Sequence, residues 1–208
     1  AGWILWKEPR VWVRWMGIGA FGAVILQGLL GAFTVWYKLP PLVSIGHGAL
    51  AEAFFCLTIA IAVVLRPGFA PGARLQPLFG WCLASTLTVY AQILLGAYRR
   101  HSGSGLIWHL LGATATMLVV YTAGNQVLQD PKDPAGVRRS AWWAMGLVGA
   151  QFALGMAAAT FVVRVDEFKG SLDPLHVWIR NFHLATGAAL LATCFLMTLR
   201  AANAAPRK

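Results

Sequence analysis

Three histidines occupy equivalent places in a repeated pattern. Gln27-Gly28-Leu29-Leu30-Gly31, Gln92-Ile93-Leu94-Leu95-Gly96 and Gln151-Phe152-Ala153-Leu154-Gly155 share the form Q-x-x-L-G. Each is followed, in the next apolar segment, by a histidine leading into small residues: His47-Gly48-Ala49, His109 before Gly112-Ala113, and His183 before Gly187-Ala188. A histidine inside an apolar segment is costly without a partner and marks a site. Neutral imidazole is a good axial ligand for haem iron, and a helical bundle can place two of them on opposite faces of one porphyrin. The plainer reading is a histidine that bonds to a neighbouring helix, with small residues serving close packing. Recurrence at three matching positions favours ligation by His47, His109 and His183.

Other polar residues are fewer. Glu52 follows His47 by five residues, roughly on the same side of a helix but not stacked beneath it. It could relay protons, orient a ligand, or sit protonated against a neighbouring helix. Arg99-Arg100-His101 is expected in an outer loop, where Arg100 and His101 could grip haem propionates or form a solvated turn. His176 precedes His183 by about two helical turns and is the reserve ligand. For Gln27, Gln92 and Gln151, interhelical hydrogen bonding is favoured over cofactor contact.

The elements that must position these residues are membrane spans. Of 208 residues, 58% are hydrophobic and 12% charged, with mean hydropathy +0.64. A soluble domain carries about 25% charged residues, so a water-facing surface is excluded. Six apolar runs of about 20 residues cover Trp15–Tyr37, Leu42–Leu65, Pro77–Tyr98, Gly105–Leu128, Ser140–Val163 and Val177–Leu199. Backbone groups in lipid must be satisfied within the segment, so each run predicts a helix. The fold class is all-α: a polytopic membrane bundle of three helical hairpins. Many of the ten tryptophans lie near run ends, where such rings settle at interfaces. Cys56, Cys82 and Cys194 all fall in apolar runs without metal or disulfide spacing.

The net charge of +10 lies in the links and forms no aromatic-interleaved stripe, which argues against nucleic acid. Lys7, Arg10, Arg14, Arg66, Arg74, Lys132, Arg138, Arg139, Arg200, Arg207 and Lys208 fall on one side of the bilayer. Lys38, Arg99, Arg100, Arg164, Lys169 and Arg180 fall on the other. The richer side is expected to be cytoplasmic, holding both ends of this chain, with the three histidines toward the outer face. The expected setting is a bacterial cytoplasmic membrane. Ala1–Trp6 reads as the last turns of a helix that starts upstream. Residues 1–14 then form a helix end and link, 15–75 the first hairpin, and 76–208 the second and third. A further hairpin ending in that helix would also pair the odd histidine.

Taken together in this order, these motifs resemble the haem A synthase family, membrane enzymes that convert haem O to haem A. The resemblance is carried by Gln27–Gly31 running on to Pro40-Pro41 and His47, by Gln92–Gly96 with Arg100-His101 and His109, and by Gln151–Gly155 with His183 before Gly187-Ala188. It implies two four-helix bundles, with this chain supplying helices three to eight of eight. It further implies that His109 and His183 hold a b-type haem, and that His47 is half the ligand pair around the haem O substrate. The other half, with a catalytic glutamate, is expected upstream, so the chain alone is expected to be inactive. Implied partners are the synthase that supplies haem O, a membrane electron donor and the lipid bilayer; a homo-oligomer is compatible with the sequence. Two other readings use the same residues. One is a non-catalytic b-type cytochrome; the other, a small transporter, draws on Glu52 and the repeat.

Overall fold

A computed structural model describes residues 2–69, 78–130, 136–164 and 174–203. Within them lie seven α-helices: α1 (Gly2–Lys7), α2 (Val11–Trp36), α3 (Pro41–Val64), α4 (Leu78–Ser102), α5 (Leu106–Gln129), α6 (Val137–Arg164) and α7 (Pro174–Ala202). Helices α2 to α7 are each long and apolar enough to cross a membrane, and they correspond to the six predicted runs. The polytopic all-helical bundle is therefore as expected, and the protein is an integral membrane protein. Large apolar side chains face outward along its length, including Phe21, Leu29, Leu87, Leu118 and Leu184, as a lipid-facing surface requires. The predicted links containing Arg74, Lys132 and Lys169, the start of the third run at Pro77, and Arg207 and Lys208 lie outside the described residues.

Short links make antiparallel neighbours. Pro40 and Pro41 stop α2 from continuing and start α3, with Pro41 at the first helical position, where its missing N–H costs nothing. Lys38 and Leu39 take left-handed φ values of 55° and 63° to make that turn. Between α4 and α5, Gly105 adopts φ +82°, and an added Cβ there would lie 3.0 Å from the Tyr98 ring. Its carbonyl accepts the His109 N–H at 3.1 Å, so this glycine sets where the histidine helix begins.

Helices α4, α5, α6 and α7 form a ring: each packs on its neighbours in sequence, and α7 closes on α4. Helix α3 lies against both α4 and α7, α2 packs on α3, and α1 on α2. One half of the ring is solid. Leu78, Cys82, Ala123, Val127, Val137, Ala141, Met197 and Ala201 fill its end, drawn from all four helices. A second layer of Val89, Val120, Ala144, Val148, Leu190, Leu191 and Cys194 lies above it, with Cys56 of α3 against its edge. The cysteines are free thiols, two of them fully buried, in keeping with small apolar core residues.

Polar ties register the solid end. Thr86 and Thr198 share a hydrogen bond of 2.9 Å between α4 and α7. Arg200 donates to the Gly136 carbonyl at 2.7 Å and to the buried Ser140 hydroxyl at 2.6 Å, pinning α7 to the start of α6. Arg200→Ala leaves both acceptors short of a charged donor. It is expected to lower stability by about 1–3 kcal/mol, read as a fall in thermal midpoint in detergent with helical content intact. Near the N-terminus, Arg10 binds Glu8 at 2.5 Å and the Val64 carbonyl of α3 at 3.1 Å. The same guanidinium holds the Glu8 carboxyl below the usual carboxylate range.

Candidate functional site: a two-histidine cavity

Above the solid half, α4 to α7 enclose a cavity of about 670 Å³. Cofactor pockets commonly span about 300–1,000 Å³. Its floor includes Val89, Thr116, Val148 and Leu190, its walls include His109 and His183, and its mouth carries Arg99, Arg100, His101, Arg180 and Asn181. His109 comes from α5 and His183 from α7, helices on opposite corners of the ring. Their ring centroids are 6.4 Å apart with planes crossed at 86°.

Each histidine lies against the glutamine of the repeat motif in the helix before it, though the ring nitrogen that meets the glutamine differs. In the second hairpin, the Gln92 side-chain NH2 lies 2.9 Å from Nδ1 of His109 and donates to the His109 carbonyl at 2.8 Å. In the first, Gln27 lies 3.4 Å from Nε2 of His47 and donates to the His47 carbonyl at 3.1 Å. In the third, Gln151 lies 3.4 Å from Nε2 of His183, and Thr186 donates to the Gln151 side-chain amide oxygen Oε1 at 2.5 Å. Nδ1 of His183 is buried without a hydrogen-bond partner, as is Nδ1 of His47. The favoured sequence reading of the glutamines, hydrogen bonding between helices, matches this geometry.

The motif's closing glycine has a separate task. A Cβ at Gly31 would come within 3.3 Å of Cε1 of His47, and one at Gly96 or Gly155 within 3.0 Å of Cε1 of His109 or His183. The glycine is the notch in which the imidazole lies. The reverse notch sits on the histidine helix: a Cβ at Gly112 would meet the Gln92 side chain, and one at Gly187 would lie 3.1 Å from Nε2 of Gln151. Sequence reasoning assigned the small residues after each histidine to close packing and gave the motif glycines no separate role. The glutamine–glycine spacing of one turn was the available signal that both serve one ring.

Several residues sit elsewhere than expected. Arg99, Arg100 and His101 belong to the last turn of α4, not to a loop, and they line the cavity mouth. Arg180 and Asn181 join them from α7, a contribution the sequence did not reveal. Glu52 lines the His109/His183 cavity from α3. His47 faces α2 in the first hairpin, apart from that cavity. His176 is in the first turn of α7 and is not among the cavity-lining residues.

The donors suit a metal that brings its own equatorial ligands. No group of three or more His, Cys, Asp or Glu side chains converges among the described residues. Two facing imidazoles supply axial positions only. A metal bonded to each ring at about 2 Å separates the ring centres by a little over 6 Å, close to the 6.4 Å found. The cationic mouth suits carboxylates, the apolar floor a flat macrocycle. The residues present therefore fit a haem. Outer partners of a ligating histidine typically contribute about 10–100-fold to metal affinity. Gln92→Leu removes both bonds that fix His109 and is expected to weaken haem retention by about that factor, measured by haem transfer to apomyoglobin.

The family described as cytochrome oxidase assembly protein (COX15-CtaA) matches residues 1–108, which carry the first hairpin and the Gln92–Gly96 motif and end just before His109. A haem A synthase of Symbiobacterium thermophilum is 29% identical over 181 residues, covering 67% of this chain. The chain aligns with 56% of the length of that relative. No solved structure matches. With half of its residues matched by that family and its histidine hairpins intact, the chain belongs to the haem A synthase family of cytochrome oxidase assembly proteins.

Proposed function

We propose that the chain serves haem A biosynthesis, holding a b-type haem between His109 and His183, with His47 in a second site where the haem O ring methyl is oxidised to a formyl group. The observation that carries the haem site is the pair of imidazoles on the walls of one open-mouthed cavity, their ring centres 6.4 Å apart. When bound, that haem supplies one-electron transfer. The chain's own residues do the rest. Gln92 and Gln151 fix the two rings, and Gly96 and Gly155 admit them. Arg99, Arg100 and Arg180 bind the propionates at the mouth and so set which edge of the macrocycle enters first. Val89, Val148 and Leu190 keep the floor dry.

Haem O is the substrate of the other site. Its methyl becomes a formyl through two successive hydroxylations, each consuming one dioxygen, two protons and two electrons from a membrane donor and releasing water, followed by loss of water from the gem-diol; haem O comes from the synthase that makes it. His47, held by Gln27 and seated on Gly31, is the residue of this chain that serves it. A non-catalytic b-type cytochrome would use the same His109/His183 pair. Expression in a host that makes haem O but no haem A separates the two. Haem O retained beside haem b in the acid–acetone extract of the purified chain, and lost with His47→Ala while haem b stays, supports the synthase role. Haem b alone, with no haem O retained, points to the cytochrome.

A further inference from the structure

Among the described residues, Glu52 is the one acidic side chain on the cavity wall, and nothing in the roles above uses it. It comes from α3, outside the four-helix ring, the same helix that carries His47. Its position about eleven residues into α3 puts it near mid-membrane, roughly 16 Å from the helix start. The cavity's arginines, Arg99, Arg100 and Arg180, are at the mouth, on the last turn of α4 and early in α7. Glu52 has no ion-pair partner among the described residues, and its Oε2 is buried without a hydrogen bond.

The groups around it offer no fixed positive charge. On α3 the ionisable neighbour is Cys56, one turn on, and α4 supplies Tyr90, whose hydroxyl is donated to the Ala49 carbonyl at 3.0 Å. Helix α2 has a single ionisable side chain, Arg14, which binds the Glu8 carbonyl at the far end. On α5 and α7 the cavity presents His109, His183 and Arg180, while Cys194 is sealed in the core. A carboxylate so placed answers chiefly to whatever charge occupies the cavity.

We infer that Glu52 is a proton-exchanging residue coupled to the oxidation state of the haem held by His109 and His183. This rests on the haem site proposed above. A ferric haem core carries a net positive charge that favours the Glu52 carboxylate; reduction removes it. As one electron arrives, from a membrane quinol or from dithionite in vitro, the carboxylate takes one proton from the aqueous phase and becomes a carboxylic acid. Reoxidation returns both. Only an O–H bond is made or broken, and the charge in the cavity stays constant through the cycle.

The test is a redox titration of the haem-loaded chain between about pH 5 and 9, a range spanning shifted carboxyl values. The midpoint potential of the wild type is expected to fall as pH rises. Glu52→Gln should hold haem with the same spectrum and lose that fall, while Glu52→Asp, Tyr90→Phe and Cys56→Ser keep it. Redox-difference infrared spectra of the wild type give a second reading: a carboxylic C=O band, shifted in heavy water, should appear on reduction. A Glu52→Gln chain with haem and an unchanged slope, or a wild type without that band, overturns the coupling alone. A folded chain that binds no haem overturns the haem site itself.

Discussion

Alanine at His109 or at His183 is expected to strip the purified chain of its haem while leaving the helices in place. In the proposed haem site each ring would supply one of two axial bonds, from helices on opposite corners of the ring. The loss should exceed the roughly 10–100-fold that removal of an outer-shell partner costs. Folding should survive, because the solid half of the bundle is built from other residues. The dithionite-reduced minus oxidised spectrum reports the outcome: a low-spin b-type signal in the wild type, absent from both variants. His176→Ala is the control and should keep the signal, since His176 is not on the cavity wall.

The second large effect belongs to two glycines that carry no ligating group. Gly96→Val and Gly155→Val put branched carbon where a single Cβ would already lie 3.0 Å from Cε1 of a histidine. Forcing extra methyl groups into such a contact costs about 1–3 kcal/mol, and here the movable partner is the imidazole. Valine should therefore push the ring off axis. The low-spin spectrum should give way to a high-spin one or to loss of haem, with far-ultraviolet dichroism unchanged. Gly80→Val and Gly146→Val, where a Cβ would meet nothing within 4 Å, should leave the spectrum as it is.

Much of this was legible in the chain because membrane helices obey few rules. Six apolar runs predicted six spans, and a repeated glutamine, glycine and histidine predicted three equivalent hairpins, with the right residues paired by each turn. What the chain did not reveal depends on helix rotation and axial offset between hairpins. Five residues separate Glu52 from His47, too few to show which turns toward α2 and which toward α4 and α7. Arg180 of α7 lines the same mouth as Arg100 of α4, a meeting of two helices that no local pattern encodes. His101 looked like a loop residue because the apolar run ends before it, yet the helix continues through Ser102. The glycine notches were hidden for a different reason. A glycine in a membrane helix commonly signals close helix approach, and only the position of the facing ring shows that an imidazole fills the space.

The most direct test of the His109/His183 haem site is low-temperature electron paramagnetic resonance of the oxidised, haem-loaded chain. Two imidazole ligands with planes crossed at the 86° found for His109 and His183 give a highly anisotropic low-spin ferric signal. A high-spin ferric signal from the haem-loaded wild type would mean that at most one of these histidines binds the iron, and would contradict the account.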